Sequence, residues 1–300
     1  MSWSDGGQRT SHVGLAALIA GLITVCTAGC GSRPPADSIR APRLIALVPS
    51  VTESLFALGA GNEVVGVSQY CDYPPQARRL PKIGGFITPN LEAILALKPT
   101  LVIGLPTSAD LPEIRVLQAM GINTLMVDDG SVAAILASIR KIGEVIDRRS
   151  AAQKLVTQIR ARVEAIEGRL ASVQPRTVLM VVGHEPLVAV GPGTYLDELI
   201  RLAHGRNIAE ASNQAWPRLS IEYIVAVRPE VILDGQMGTD SPAPARFWSR
   251  FPSIPAVRER RIFGYPDDPT LHPGPRIAQT LELLARRIHP EVFAPERAAQ

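Results

Sequence analysis

The residues of this chain best suited to binding chemistry are flat aromatic rings set in proline-rich loops. Tyr70-Cys71-Asp72-Tyr73-Pro74-Pro75 follows a strand-like run at 64–67, and Gly84-Gly85-Phe86 precedes a helix-like run that starts at Leu91. Trp216-Pro217 stands in the corresponding place before Ile221. In an alternating α/β sheet such loops lie at strand ends, where ligands collect. Aromatic faces on both sides of an interlobe cleft suit a large, planar, partly apolar ligand. Rings that only plug their own lobes would give the same spacing.

Catalytic signatures are absent. The sequence contains no zincin, nucleophile-elbow or phosphate-loop motif. Gly59-Ala60-Gly61 and Gly191-Pro192-Gly193 are incomplete as dinucleotide fingerprints and read as turns. One enzymatic alternative stays open: His184, Glu185, His272 and Asp268 are ligand types that suit zinc, although their spacing adds no support. Glu92 and Glu222 pose a second choice. Each falls in the first turn of a helix, behind Asn90 or Ser220 as caps, where the helix dipole favours an acid. Alternatively, each is an exposed carboxylate that meets a basic group on a two-fold symmetric partner.

The elements that position these residues form two similar halves. In the first, strand patterns at 44–48, 64–67, 101–103 and 124–127 alternate with helical patterns at 91–97, 111–120 and 132–146. Ser50-Val51-Thr52-Glu53 reads as a capping box for a further helix that Gly59 and Gly61 end. From 148 to 171 no proline occurs, and Leu155, Ile159, Val163, Ile166 and Leu170 recur at helical spacing. Such a helix would be roughly 36 Å long at 1.5 Å per residue, enough to bridge two lobes. The second half restarts with a strand at 177–182 and ends in a helix at 273–288. An internal echo relates the halves: Leu91-Glu92-Ala93-Ile94 through Lys98-Pro99 lines up with Ile221-Glu222-Tyr223-Ile224 through Arg228-Pro229, and each runs into an apolar strand. The fold class expected is α/β, two Rossmann-like lobes joined by one long rigid helix.

Composition bounds the rest. A net charge of +3, from 31 basic and 28 acidic residues, gives no nucleic-acid footprint. The apolar run 13–25 is short for a permanent span and suits a signal-peptide core. Thr27-Ala28-Gly29-Cys30 then resembles a bacterial lipoprotein signal, with Cys30 lipidated as the first mature residue. Residues 1–29 are read as that signal, 30–42 as a tether, 43–147 as the first lobe, 148–172 as the connecting helix and 173–300 as the second lobe. Of the three cysteines, Cys26 goes with the signal and Cys30 is lipidated; Cys71 is left alone as a small packed residue, without a disulfide.

Together, Arg43 to Gly59, Val65 to Pro75, Asn90 to Pro99, Trp216-Pro217, Ile221 to Asp234 and Pro273 to Arg276 resemble the cobalamin-binding branch of the helical-backbone solute-binding proteins. The resemblance covers nearly the whole mature chain. It implies a corrinoid held between the lobes outside the cytoplasmic membrane by a monomer, with no cofactor and no bond made or broken. Delivery would be to an ABC permease driven by a separate ATPase subunit. Tyr70, Phe86, Trp216, Asp268 and His272 are the ligand contacts it implies, with Phe86 where the family has a tryptophan and His272 where it has an arginine. Leu105 and Val182 stand where the family has aromatics. Glu92 and Glu222 coincide with the family's docking glutamates. A ferric-siderophore or haem binder of the same fold is the nearest alternative; Arg218 and Arg246 are then the candidates to meet an anionic chelate. The other is a metal-dependent enzyme using His184 and His272.

Overall fold

The computed structural model describes residues 41–235, 244–265 and 267–293. The signal segment, Cys30 and most of the tether lie outside the described residues. Within them, chain order runs β1 (Leu44–Ala46), α1 (Pro49–Ala57), β2 (Val64–Val67), α2 (Leu91–Ala96), β3 (Leu101–Gly104), α3 (Pro112–Ala119), β4 (Asn123–Met126), α4 (Val132–Val145) and α5 (Arg149–Leu170). It continues with β5 (Arg176–His184), β6 (Leu187–Ala189), α6 (Tyr195–Leu202), β7 (Gly205–Asn207), α7 (Ile221–Val227), β8 (Val231–Gly235) and α8 (Pro244–Trp248). The chain closes with α9 (Pro255–Arg258), β9 (Ile262–Tyr265), α10 (Asp267–Thr270), α11 (Ile277–Ile288) and α12 (Pro290–Phe293).

The first sheet has the order β2-β1-β3-β4 and is parallel throughout. In the second, β5 lies between β8 and the pair β6 and β7, with β9 beyond β8. Only β6 runs antiparallel there; it folds back on β5 through a hairpin that the alternating pattern did not announce. Both sheets carry apolar residues on both faces, which is why their strands read as continuous runs rather than alternations.

The 130-residue echo is structural. Helix α2 leads into β3 as α7 leads into β8. The basic residue before each proline, Lys98 or Arg228, takes a positive φ, 46° and 59°. A left-handed residue ends the helix and turns the chain into the strand in both copies.

Helix α5 presents Ala152, Val156, Ile159, Val163, Ile166 and Leu170 to the interior. One apolar cluster runs from Leu44 and Val48 of the first half, along this face, to Val178, Leu233 and Leu281 of the second. The outer faces of the sheets have separate clusters, around Val102 and Ile114 in one half and around Ile232 and Trp248 in the other.

Two sequence expectations need correction. Ser50 does not cap α1: the cap position is Val48, without a side-chain bond, and Pro49 opens the helix. Proline's fixed φ suits that first position, which moves the start forward and places Glu53 inside the helix. The last long helix starts at Ile277 rather than Pro273. Two prolines within Pro273-Gly274-Pro275 remove donors and disfavour helical backbone before them.

Candidate interlobe cleft

The carboxyl ends of all four strands of the first sheet open onto one cleft of ≈ 710 Å³. That volume lies within the range of about 300–1,000 Å³ usual for small-molecule sites. Val48, Pro49 and Ser50 follow β1, Tyr70 follows β2, Leu105 follows β3 and Asp129 follows β4. Leu271, His272 and Pro273, between α10 and α11, close the other side.

Tyr70 and Phe86 form an aromatic corner. Their ring centroids are 5.9 Å apart at 61°, an edge-on contact, and both rings are exposed. Gly84 sets the turn before Phe86: its φ is +92°, and a Cβ there would meet the Thr88 carbonyl at 2.7 Å. Only glycine fits such a turn without strain. Leu105, at the place where resemblance implied a tryptophan, does line the cleft.

Asp129 was not foreseen. Burial, and then the charge of neighbouring Asp128, push its carboxyl up to about 6, while the Ser50 hydroxyl pulls it down. The available signal was Val127-Asp128-Asp129-Gly130, acids in a turn at a strand's carboxyl end. Tyr195, in the first turn of α6, lies near enough for the charge of Asp129 to add to burial in pushing its phenol upward. The Tyr195 hydroxyl donates to the Thr270 carbonyl at 2.9 Å.

The remaining candidates are not among the described lining residues. Trp216 is 46% exposed and is not among the residues lining this cleft. Its loop is strapped along β6 by Ala189 N–H to Pro217 O at 2.9 Å and Leu219 N–H to Leu187 O at 3.1 Å. Asp268 lies in α10, and its side chain lies outside the described ones. Val182 is buried in β5. Arg218 and Arg246 are exposed and do not line the cleft.

His184 does not pair with His272. Its Nε2 meets both carboxylate oxygens of Asp234, at 2.8 and 3.0 Å, and its ring packs edge-on against Phe247. Trp248 donates from Nε1 to the same carboxylate at 2.6 Å. Burial raises the pKa of Asp234, against the lowering effect of the bonds from His184 and Trp248. Among the described residues, no group of three or more His, Cys, Asp or Glu could hold a metal ion. Cys71 is buried, takes a bond from the Thr52 hydroxyl at 3.1 Å and is pushed up in pKa by its burial, as a packed thiol should be.

Glu92 and Glu222 are both exposed in the first turns of α2 and α7. Asn90 caps the first helix by accepting from Ala93 N–H at 2.9 Å, and Ser220 caps the second by accepting from Tyr223 N–H at 3.2 Å. Glu222's own backbone N–H, and then the Ser220 hydroxyl, hold its pKa below the usual value.

Polar bonds also tie the halves at the back of the cleft. Glu198 of α6 accepts from the Val132 N–H that opens α4, at 2.8 Å. Arg276 reaches Glu53 of α1, and Gly274 passes so close to Ser50 that a Cβ would sit 3.3 Å from its backbone.

A family model described as "Periplasmic binding protein" matches residues 44–269. An uncharacterised ABC transporter substrate-binding lipoprotein of Bacillus subtilis is 30% identical over 84% of the chain and 81% of its own length. A vitamin B12-binding protein of Photorhabdus laumondii is 29% identical over 82% of the chain and 88% of its own length. Among solved structures, a periplasmic haem-binding protein of Roseiflexus sp. RS-1 superposes with a TM-score of 0.76 at 30% identity, over 84% of this chain and 99% of that one. The periplasmic vitamin B12-binding protein of Vibrio cholerae gives 0.73 at 27%, over 85% and 99%.

Proposed function

The chain belongs to the periplasmic binding protein family, and from that premise we propose that it captures cobalamin or a related corrinoid in the interlobe cleft and delivers it to an ABC permease. The family's members of known role bind solutes for transport, in the class that takes up vitamin B12, haem and siderophores. One observation carries the choice of corrinoid. The cleft combines an aromatic corner, Tyr70 and Phe86, with apolar Val48, Leu105 and Leu271, and none of its described lining residues is Lys or Arg. A large ring with an uncharged periphery suits such a wall; an anionic chelate does not. His272, which lines the cleft, is a further proposed contact, and Trp216 and Asp268 are proposed to reach the ligand from beyond the described lining. Glu92 and Glu222 are proposed to meet basic groups on the two halves of the permease. Cys30 is the proposed lipid anchor outside the cytoplasmic membrane.

Calorimetric titration with cyanocobalamin tests the reading. Binding at micromolar concentration or tighter is expected, and its absence would overturn the assignment.

Haem is the second reading. Tyr70 and His272 both line the cleft, and each is a residue type that ligates haem iron. Titration with haemin in parallel, followed by the Soret band, separates the two.

A further inference from the structure

Among the described lining residues Asp129, at the end of β4, is the one acid, with the Ser50 hydroxyl and Tyr195 of α6 beside it. Among the described residues no Lys, Arg or His is paired with it, and the groups near enough to hold its charge are its own backbone N–H and the Ser50 hydroxyl. Tyr195 does not supply another, because its hydroxyl is committed to the Thr270 carbonyl. The carboxylate therefore keeps acceptor capacity facing the cleft, in surroundings set by Val48, Leu105 and Leu271.

We infer that Asp129 is the specificity-determining residue of the cleft, accepting amide N–H groups from the periphery of a corrinoid and repelling ring systems whose periphery carries carboxylates. The inference rests on the corrinoid reading above and sharpens it to a substrate class. An amide donates to an ionised acid, and such a bond to a charged group is stronger than one between neutral partners. A ligand carboxylate would be a third negative group beside Asp129 and Asp128, with no described Lys or Arg in the lining to offset it. A site built to receive a donor rejects an analogue that lacks it more strongly than an apolar wall can. Burial already lifts the Asp129 carboxyl to about 6, so a donor would relieve a group that has few of its own.

The experiment compares wild type, Asp129→Asn and Asp129→Glu at pH 7.5 with three probes: cyanocobalamin, cobyrinic acid and haemin. Cobyrinic acid shares the corrin ring but carries carboxylates where cobalamin carries amides. Wild type is expected to prefer cyanocobalamin. In Asp129→Asn the ratio of cyanocobalamin to cobyrinic acid affinity should fall by about tenfold or more, the scale of one hydrogen bond to a charged group. Asp129→Glu, which keeps the charge, should keep most of the discrimination, and a merely damaged fold would not separate the two variants. An unchanged ratio in Asp129→Asn, with wild type binding cyanocobalamin, overturns this inference and leaves the corrinoid reading standing. Wild type that fails to bind cyanocobalamin overturns both.

Discussion

Arg276 Nε donates to Glu53 Oε2 at 2.7 Å, and its Nη2 donates to Glu53 Oε1, so that one guanidinium grips a carboxylate 223 residues earlier in the chain. Both side chains are buried, and the guanidinium also stacks 3.8 Å from the centroid of the Tyr73 ring. Glu53 belongs to α1 and Arg276 to the cap of α11, so this fork joins the two halves close to the floor of the cleft.

Breaking that pair should be costly. Removing the guanidinium takes both short charge-assisted bonds from a buried carboxylate and leaves it with weaker partners such as His272, whose Nδ1 is 4.0 Å away; breaking a buried pair costs up to about 3–5 kcal/mol. Arg276→Met is expected to lower the urea midpoint clearly. A change below ~1 kcal/mol would mean that the charge finds another partner or water.

The same fork, the Glu198–Val132 bond and α5 together predict little lobe movement on ligand binding. Small-angle scattering with and without cyanocobalamin should show nearly the same radius of gyration. A hinge-like closure would contradict the arrangement.

Asp129 gives a pH dependence with a definite sign. Its carboxyl titrates at about 6 in the fold against an ordinary 3.8, so between those values the native state holds more of the proton. Stability from this group is therefore greatest below about 4 and is lost as pH rises through about 6. The lowered carboxyls Glu222, Glu282 and Glu291 act in the opposite direction but are common to both proteins. Melting curves of Asp129→Asn minus wild type should show the variant gaining relative stability from pH 4 to pH 7.

Tyr70→Ala and Phe86→Ala should each weaken cyanocobalamin binding by about tenfold or more, as truncated aromatic anchors do. Melting temperatures should move little, because both rings are exposed.

Charge reversal at both docking acids, Glu92→Lys with Glu222→Lys, should abolish uptake in cells while sparing affinity for the ligand. A lost affinity in the purified protein would place these residues outside a docking role.

Much of this fold was legible because its strands are buried on both faces and α2, α4, α6 and α7 carry side-chain caps. The run at 64–67 is strand β2 to the residue, and α5 starts one residue after and ends two residues before the expected 148–172. The 130-residue echo predicted paired helices with Asn90 and Ser220 as caps, and both side chains accept the expected bonds. Legibility failed where partners are far apart in the chain. Glu53 looked like a capping acid because nothing local betrays Arg276. His184 and His272 invited grouping by type, yet β8 brings Asp234 to His184 instead. Asp129 carried only a weak turn signal, since its importance arises from a cleft that four separate strand ends create.

The Glu53–Arg276 fork also has a meaning for biosynthesis. A chain is made from its amino end, so Glu53 emerges more than two hundred residues before the cation that neutralises it. The apolar stripe of α5 and the first sheet wait likewise for Leu281 and its neighbours on α11. The first half shares its inner core with the second and receives from it the guanidinium that grips its buried Glu53. Completion of the shared core thus waits for α11, and until the segment 271–273 before it is in place the cleft lacks one side.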